Sequence, residues 1–139
     1  MFVGRFEHSL DGKGRLVLPA AFRPALRGGG VLAPWDRCLA LWTTQQFDQV
    51  AQAMKTKLSE SDQDMDVMRL FFAEARAVQP DGQGRFVVPE EHRGHAGLVR
   101  DAVVSGQFDR IEIWDRSRFQ GVRDGQAGLL AEAIRDLRL

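Results

Sequence analysis

Two stretches of this sequence place acidic and basic side chains on either side of a glycine-rich turn. The first reads Asp-Gly-Lys-Gly-Arg over residues 11–15, and the second reads Asp-Gly-Gln-Gly-Arg over residues 81–85. An arginine fork can bind a phosphate or the edge of a guanine through two parallel hydrogen bonds. The glycines let the backbone turn tightly and approach a ligand closely. This combination indicates binding of an anionic ligand.

The first turn carries two cations within three positions, Lys13 and Arg15. Asp11 lies four residues before Arg15 and could pair with it across the turn, which would hold the guanidinium group in position. In the alternative interpretation the pair is only a surface salt bridge, worth about 0–1 kcal/mol. The repetition of Asp-x-x-x-Arg favours the binding interpretation. It does not decide the matter, because a constraint of the fold is also inherited on duplication.

The similarity of the two stretches extends along the chain. Each continues with three apolar residues, a proline and then an arginine four positions later, Arg23 in the first copy and Arg93 in the second. A further apolar segment ends at Trp42 in the first copy and at Trp114 in the second, and a phenylalanine follows each at the same distance. Several matched positions in the same order indicate a tandem duplication, whose period sets the architecture.

Each repeat is predicted to run strand, glycine turn, strand, short helix, strand, strand. Alternation from Phe2 to His8 is typical of a half-buried strand, and the apolar run 16–18 predicts a buried one. Pro19 ends that strand and suits the first position of a helix. A unit of about 45 residues would be only marginally stable alone, because small domains bury too little surface. We therefore expect the two halves to share one core.

Helices are predicted between the repeats. Thr43 and Gln46 have the spacing of a capping box at the start of the first of them. Asp62 or Asp64 is expected to cap the second. The predicted domains are a first repeat over residues 1–47, a helical linker over 48–75, a second repeat over 76–119 and a C-terminal helix over 120–139.

The C-terminal region is predicted to begin with a helix near Asp115 that is broken by Gly121 and Gly125. An amphipathic stripe follows, made of Leu129, Leu130, Ala133, Ile134 and Leu137. Its apolar face would pack either on the core of its own chain or on a neighbouring subunit.

Charge is balanced overall, with 19 basic and 19 acidic residues, which by itself argues against a nucleic-acid binder. The two signs are nevertheless segregated. Residues 1–30 carry five cations against two carboxylates, whereas residues 56–66 carry one cation against four carboxylates. Residues 76–100 carry four cations against three carboxylates. The most basic segment therefore contains the first glycine turn.

The composition predicts a cytoplasmic protein. No run of eighteen apolar residues is present, so no membrane association is expected, and the first residues lead directly into the first strand instead of forming a signal peptide. A single cysteine, Cys38, excludes an intrachain disulfide framework and is expected to be a plain core thiol.

An enzyme is not predicted. His92 and His95 are interpreted as surface residues, and an enzyme would require a metal bound near them. Glu90 and Glu91 lie at a predicted helix start, where favourable interaction with the helix dipole explains them without catalysis. Neither a Gly-x-Ser-x-Gly elbow nor a phosphate-binding Walker loop occurs. We therefore expect no metal, no cofactor and no small-molecule substrate.

The opening Phe-x-Gly-x-Phe-x-His over residues 2–8, followed by Leu-Asp-x-Lys-Gly-Arg over residues 10–15, resembles the bacterial MraZ family. That family carries two SpoVT/AbrB-type units in one chain, each marked by Asp-x-x-x-Arg, and the resemblance covers about residues 1–120 of this sequence. It implies an α+β, β-rich fold: a pseudo-two-fold, swapped-hairpin (AbrB-like) β-barrel built from two tandem repeats. A helical insert between the repeats and a C-terminal helix complete the predicted fold.

The resemblance also implies a function. It suggests a sequence-specific transcriptional regulator that binds double-stranded DNA at promoter repeats of the division and cell-wall gene cluster, as a nucleoid-associated homo-oligomeric ring. The expected DNA-binding residues are Arg15, Lys13, Arg5 and Arg85. The expected supporting residues are Asp11, Asp81, Gly14 and Gly84.

The two turns are not expected to contribute equally. The second copy has Gln83 where the first has Lys13, and Glu90 and Glu91 follow it in the sequence, so the first turn is expected to be the main contact. A competing hypothesis is a protein-interaction or antitoxin-like barrel module that does not read DNA directly. In that case the terminal amphipathic helix would hold a protein partner.

Overall fold

The computed structural model describes all 139 residues and has an α+β, β-rich fold. The strands are β1 (Arg5–Ser9), β2 (Arg15–Val17), β3 (Gly30–Trp35), β4 (Cys38–Thr43), β5 (Arg76–Val78), β6 (Arg85–Val87), β7 (Asp101–Gly106) and β8 (Ile111–Asp115). The α-helices are α1 (Thr44–Lys57), α2 (Asp62–Glu74), α3 (Glu90–Ala96), α4 (Arg116–Gln126) and α5 (Leu130–Asp136). Two short 3-10 helices, Ala20–Phe22 and Pro24–Leu26, connect β2 to β3.

Six strands form one antiparallel sheet in the order β1-β7-β8-β4-β3-β5. The remaining two, β2 and β6, pair only with each other as an antiparallel ribbon. The expected closed barrel is therefore not formed by the strand pairing. The large sheet ends at β1 on one side and β5 on the other, because β2 and β6 pair with each other instead of bridging these edges.

The two halves of the chain are joined by their first strands. β1 of the first half pairs with β7 of the second, with Arg5 opposite Ser105 and Ser9 opposite Asp101. In return, β5 of the second half pairs with β3 of the first. A cluster of 17 buried apolar residues drawn from both halves lies within this arrangement. The prediction of one shared core is confirmed.

The apolar run 16–18 is buried on one face only, because it runs along one strand of the β2–β6 ribbon. Leu16 and Leu18 are fully buried in the shared core, whereas Val17 between them points to the other face and is partly exposed. Alternate residues of a strand point to opposite faces, so a ribbon with one covered face must expose the intervening side chains. Pro19 follows as expected, but it precedes a 3-10 helix, whereas Pro89 precedes the α-helix α3.

The capping residues predicted for α1 and α4 are observed, whereas the one predicted for α2 is not. At α1 the capping box is present, since Thr43 Oγ1 accepts from the backbone N–H of Gln46 and Gln46 Oε1 accepts from the N–H of Thr43. The cap of α2 is Ser61 instead of Asp62 or Asp64. Both aspartates lie in its first turn, where a negative charge interacts favourably with the helix dipole.

The expected break of the C-terminal region at Gly121 was wrong, because α4 continues through both glycines to Gln126. Its start at Asp115 is as expected, since this side chain accepts from the backbone N–H of Arg118. An interior glycine costs a helix only about 1 kcal/mol relative to alanine. Phe119 and Val122 pack against the buried cluster that contains Trp114, which offsets that cost.

The terminal helix α5 does not pack on the core of its own chain. Leu130 is 63% exposed and Ile134 is 54% exposed, and the other apolar residues of the stripe are exposed as well. The first of the two interpretations of this helix is thus wrong. None of the five helices combines the length and the apolar composition needed to cross a bilayer.

Candidate nucleic-acid interface

Both glycine turns fold as the sequence predicts. In the first, the N–H of Asp11 donates to the carbonyl of Arg15, and the N–H of Gly14 donates to the carbonyl of Asp11. The second turn repeats both bonds seventy residues later. Gly14 and Gly84 have φ values of 74° and 79°. This left-handed region is open to glycine at no steric cost, which explains why the last residue before each arginine is a glycine.

The carboxylate of Asp11 binds the turn and the arginine together. Its Oδ1 accepts from the backbone N–H groups of Lys13 and Arg15, both at 2.9 Å. Its Oδ2 accepts from Nε of Arg15 at 2.6 Å. Asp81 makes the same three bonds, with 2.8 Å between its Oδ2 and Nε of Arg85. The predicted Asp–Arg pair is confirmed in both turns.

These bonds leave the two terminal guanidinium nitrogens of each arginine without a protein partner. Nε is the only side-chain nitrogen of Arg15 and of Arg85 that has a protein partner, so both terminal nitrogens can donate to a ligand. Both side chains are about one-third exposed. A guanidinium group that is fixed at Nε and free at its terminal nitrogens is oriented before it binds, which limits the side-chain entropy lost on binding.

The electrostatics of the two turns are set by the same bonds. The backbone N–H of Arg15, followed by its side chain, lowers the pKa of Asp11 to about 2. The corresponding groups of Arg85 lower the pKa of Asp81. Each aspartate is therefore ionised at neutral pH and neutralises one arginine. Lys13 then supplies the net positive charge within the first turn, where the second turn has a neutral glutamine.

The two motif arginines share one face of the β2–β6 ribbon. Arg15 lies opposite Val87, and Val17 lies opposite Arg85. The inner face carries buried Leu16 and Phe86, so the arginines and valines point outward, and Val87 is 56% exposed. Arg15 and Arg85 are diagonal neighbours on this face, which puts their Cα atoms about 7–8 Å apart. The turns themselves lie at opposite ends of the ribbon.

Each turn is supported by the other half of the chain. The N–H of Val88 donates to the carbonyl of Gly14 at 2.9 Å, and the N–H of Leu18 donates to the carbonyl of Gly84 at 2.7 Å. The side chain of Arg93 lies against Gly14, and that of Arg23 lies against Gly84. Sequence reasoning found these two arginines as repeated residues but gave them no part in the site. Their fixed spacing after each proline was the signal.

The structure places Lys13 within the first turn and Arg5 at the end of β1 that is remote from that turn. Lys13 lies exposed at the tip of the first turn, between Asp11 and Arg15. Arg5 is also exposed, but it begins β1, and the turn follows the other end of that strand. With a rise of about 3.3 Å per residue, Arg5 lies about 13 Å along the strand from Ser9. Arg5 is thus outside the cluster at the turn.

The candidate metal residues have structural partners. His92 was expected at the surface, but it is buried, with 1% of its surface exposed. Its Nε2 lies 2.6 Å from the carbonyl oxygen of Glu74 at the end of α2. His95 is exposed, and its Nε2 lies 2.7 Å from the carbonyl oxygen of Asp36. No group of three histidine, cysteine or acidic residues has the arrangement of a metal site.

Cys38 is the core thiol that the sequence predicts. It is fully buried, and its Sγ lies 3.0 Å from the carbonyl oxygen of Trp35. Burial raises the pKa of this thiol well above its usual range. The reactive thiolate form is therefore not populated at neutral pH.

The chain is similar over most of its length to proteins of one known family. The family described as "MraZ protein, putative antitoxin-like" matches residues 1–69 and 71–133. A protein of Thermomicrobium roseum named transcriptional regulator MraZ is 45% identical over 133 residues, covering 94% of this chain and 90% of the relative. Proteins of the same name are 41% identical in Frankia casuarinae, covering 95% of this chain and 93% of the relative, and 36% identical in Thermobifida fusca, covering 99% and 96%.

Proposed function

This chain belongs to the MraZ family, and from that premise we propose that it is a transcriptional regulator that binds double-stranded DNA sequence-specifically. The relatives named above are called transcriptional regulators. The observation in this chain that carries the proposal is the shared outer face of the ribbon. Two arginines, each oriented by an aspartate, point from that face with their terminal nitrogens free. The proposed role needs no catalytic group, cofactor or small-molecule substrate.

The β2–β6 ribbon has the form of a DNA-reading element. The major groove admits a two-stranded β-ribbon, and an arginine binds the O6 and N7 atoms of guanine with two hydrogen bonds. Arg15 and Arg85 have two free terminal nitrogens each for such a contact. Lys13 adds a point charge at the tip of the first turn. We assign base reading chiefly to Arg15 with Lys13, and Arg5 to a more distant phosphate.

In this proposal, self-association supplies the affinity for DNA that a single chain without net charge lacks. The chain has no net charge, so a single copy has little general attraction for DNA. Linking several sites can raise the apparent affinity about 10²–10⁴-fold without new contacts. We propose a ring of subunits that binds spaced promoter repeats of the division and cell-wall gene cluster, with the protein associated with the nucleoid. The exposed apolar face of α5 supports association.

The experiment is a binding titration of the full chain with DNA from the promoter of its own operon and with a scrambled duplex. Arg15→Ala is expected to weaken promoter binding at least tenfold, because a lost bidentate base contact is worth about 1–3 kcal/mol per subunit. The matched control is Arg123→Ala, since Arg123 is exposed on α4 and has no ion pair. Light scattering should show the same mass for all three proteins. Wild-type promoter binding by Arg15→Ala would remove the turn from the site.

A second candidate function is a protein-interaction or antitoxin-like module. The exposed apolar stripe of α5 favours it, because an amphipathic helix can bind in the groove of a protein partner. Retention of the chain on heparin at low salt and its release at high salt would support DNA binding. Absence of retention, together with co-purification of a stoichiometric protein, would support this second function instead.

A further inference from the structure

A cavity of about 300 Å³ lies beside the second glycine turn. Only one of its eight lining residues is hydrophobic, which distinguishes it from an ordinary ligand pocket. The residues that matter below are Arg23, Arg27, Gln79, Asp81, Gly82 and Gly84. The two arginines come from the first half of the chain and the other four residues from the second half. We call it the Arg23–Arg27 cavity.

The charge of this cavity is positive. Neither Arg23 nor Arg27 has a carboxylate within 4.0 Å, since neither takes part in any ion pair of the protein. Nε of Arg23 donates to the carbonyl of Leu18 at 2.9 Å, and its terminal nitrogens have no partner. The one carboxylate in the lining, Asp81, is already bound to Arg85 and to the backbone of its own turn. Two guanidinium groups are therefore left without a counterion.

The loop before the second turn holds Arg27 beside the cavity. Nε2 of Gln79 donates to the backbone carbonyl of Arg27 at 3.0 Å, a contact between residues 52 positions apart. Arg23 is held from the other side by its contact with Gly84. Both arginines are thus fixed at their backbone or at Nε, and their charged ends remain available.

The pairing of β2 with β6 explains why sequence order associates this positive charge with the first turn, whereas the structure places it beside the second. The segment that carries Arg23 and Arg27 follows β2, and the hydrogen bond from Leu18 to Gly84 places it behind the second turn. The segment that begins at Glu90 and Glu91 follows β6, and the bond from Val88 to Gly14 places it behind the first. The segment that carries the acidic pair is therefore joined through Val88 to the first turn, although it follows the second turn in sequence.

We propose that the Arg23–Arg27 cavity binds a phosphate of the DNA backbone and is a subsite of the interface proposed above. Two unpaired guanidinium groups supply charge-assisted donors that match the oxygens of a phosphodiester. Phosphate contacts fix the register of a protein on the duplex, whereas base contacts supply specificity. This inference rests on the proposed function and extends it: bases are read chiefly by the first turn, and the cavity beside the second turn holds the DNA backbone.

The test is the salt dependence of DNA binding by the full chain carrying Arg27→Gln, which keeps a polar side chain at an exposed position. A lost phosphate contact should lower the magnitude of the slope of log K against log salt by about one for each bound subunit. The affinity should fall by the same factor on promoter and scrambled DNA, since a phosphate carries no sequence. Arg123→Gln, on α4, is the control and should keep the wild-type slope.

A titration with inorganic phosphate separates this inference from the proposed function. Amide NMR shifts of Gly82 and Gly84 should respond to phosphate in the wild type and not in Arg27→Gln. A wild-type salt slope in Arg27→Gln, with Arg15→Ala still defective, would overturn the inference and leave the proposed function standing. If the wild type binds no DNA, the proposed function fails. A phosphate response that is lost in Arg27→Gln while its DNA binding is unchanged would assign the cavity to a free phosphate ligand and overturn the backbone contact.

Discussion

The guanidinium group of Arg23 lies against Gly84, a residue of the turn that belongs to the other half of the chain, and leaves no room for a Cβ atom on that glycine. The same relationship joins Arg93 to Gly14, where an added Cβ would come within 3.1 Å of the guanidinium. Each turn is therefore backed by an arginine of the opposite half. The orientation of both turns therefore depends on contacts between the two halves of the chain.

Gly84→Ala is expected to destabilise the protein by about 1–3 kcal/mol, the usual cost of a non-glycine residue held in a sparsely populated backbone conformation. Gly84 has a φ of 79°, and the new methyl group would displace Arg23. Urea unfolding measures the change. Gly82→Ala in the same turn is the control, because a Cβ on Gly82 would meet no atom within 4 Å and its φ is not positive. Equal effects of the two substitutions would contradict this account of the turn.

The Asp11–Arg15 pair should make stability depend on acid pH. The pKa of Asp11 is lowered from 3.8 to about 2, first by the backbone N–H of Arg15 and then by its side chain. A carboxyl group with a depressed pKa in the folded state contributes stability above its unfolded value, and this contribution is lost as the pH falls. Stability should therefore fall between about pH 4 and pH 2.

Thermal unfolding of the wild type and of Asp11→Asn across this range tests the point. The variant should be less stable at neutral pH and should show a smaller loss on acidification. Asp48→Asn is the control, because Asp48 is exposed on α1 and accepts no side-chain hydrogen bond. If Asp11→Asn kept the full acid dependence of the wild type, the turn would not be the source of it.

Substitution of the two histidines should have unequal effects. His92 is buried, and its Nε2 holds the carbonyl at the end of α2, so His92→Ala removes core volume and a buried hydrogen bond. Such a change costs about 2–4 kcal/mol. His95→Ala should cost less than about 1 kcal/mol, because His95 is exposed although it also contacts a carbonyl. Urea unfolding of both variants checks the order, and a reversal of it would refute the assignment.

Local features of this fold could be predicted from the sequence. The positive φ of Gly14, the pairing of Asp11 with Arg15 and the capping box at Thr43 each involve residues at most four positions apart. Their geometry is fixed by backbone and side-chain chemistry within one turn. The duplicated spacing made the same features predictable in the second half, where Asp81 repeats the contacts of Asp11.

Long-range features could not be predicted in the same way. Gln79 meets the backbone of Arg27 across 52 positions, and the burial of His92 depends on where α2 ends relative to α3. The exposure of α5 is a further case, since an apolar stripe does not specify what covers it. The acidic residues Glu90 and Glu91 are another long-range case. They follow the second turn in sequence, whereas the hydrogen bond from Val88 to Gly14 joins their segment to the first turn.

The double substitution Leu130→Ser with Ile134→Ser should change association without changing the fold of one subunit. Both side chains are more than half exposed, so their removal takes little buried surface from the chain that carries them. In the proposed ring the same face would be covered by a neighbouring subunit, and two new hydroxyl groups would weaken that contact. Light scattering should show a lower mass than the wild type, and the circular dichroism spectrum should be unchanged.

Glu132→Ser with Arg135→Ser is the matched control, because it alters two charged residues of α5 and leaves the apolar stripe intact. It should keep the wild-type mass. A lost circular dichroism signal in the Leu130–Ile134 variant would show that α5 stabilises its own subunit after all. If mass and spectrum both stay at wild-type values, α5 is not the subunit interface. A ring would then have to use another apolar surface, for which exposed Val67 and Leu70 on α2 are the next candidates.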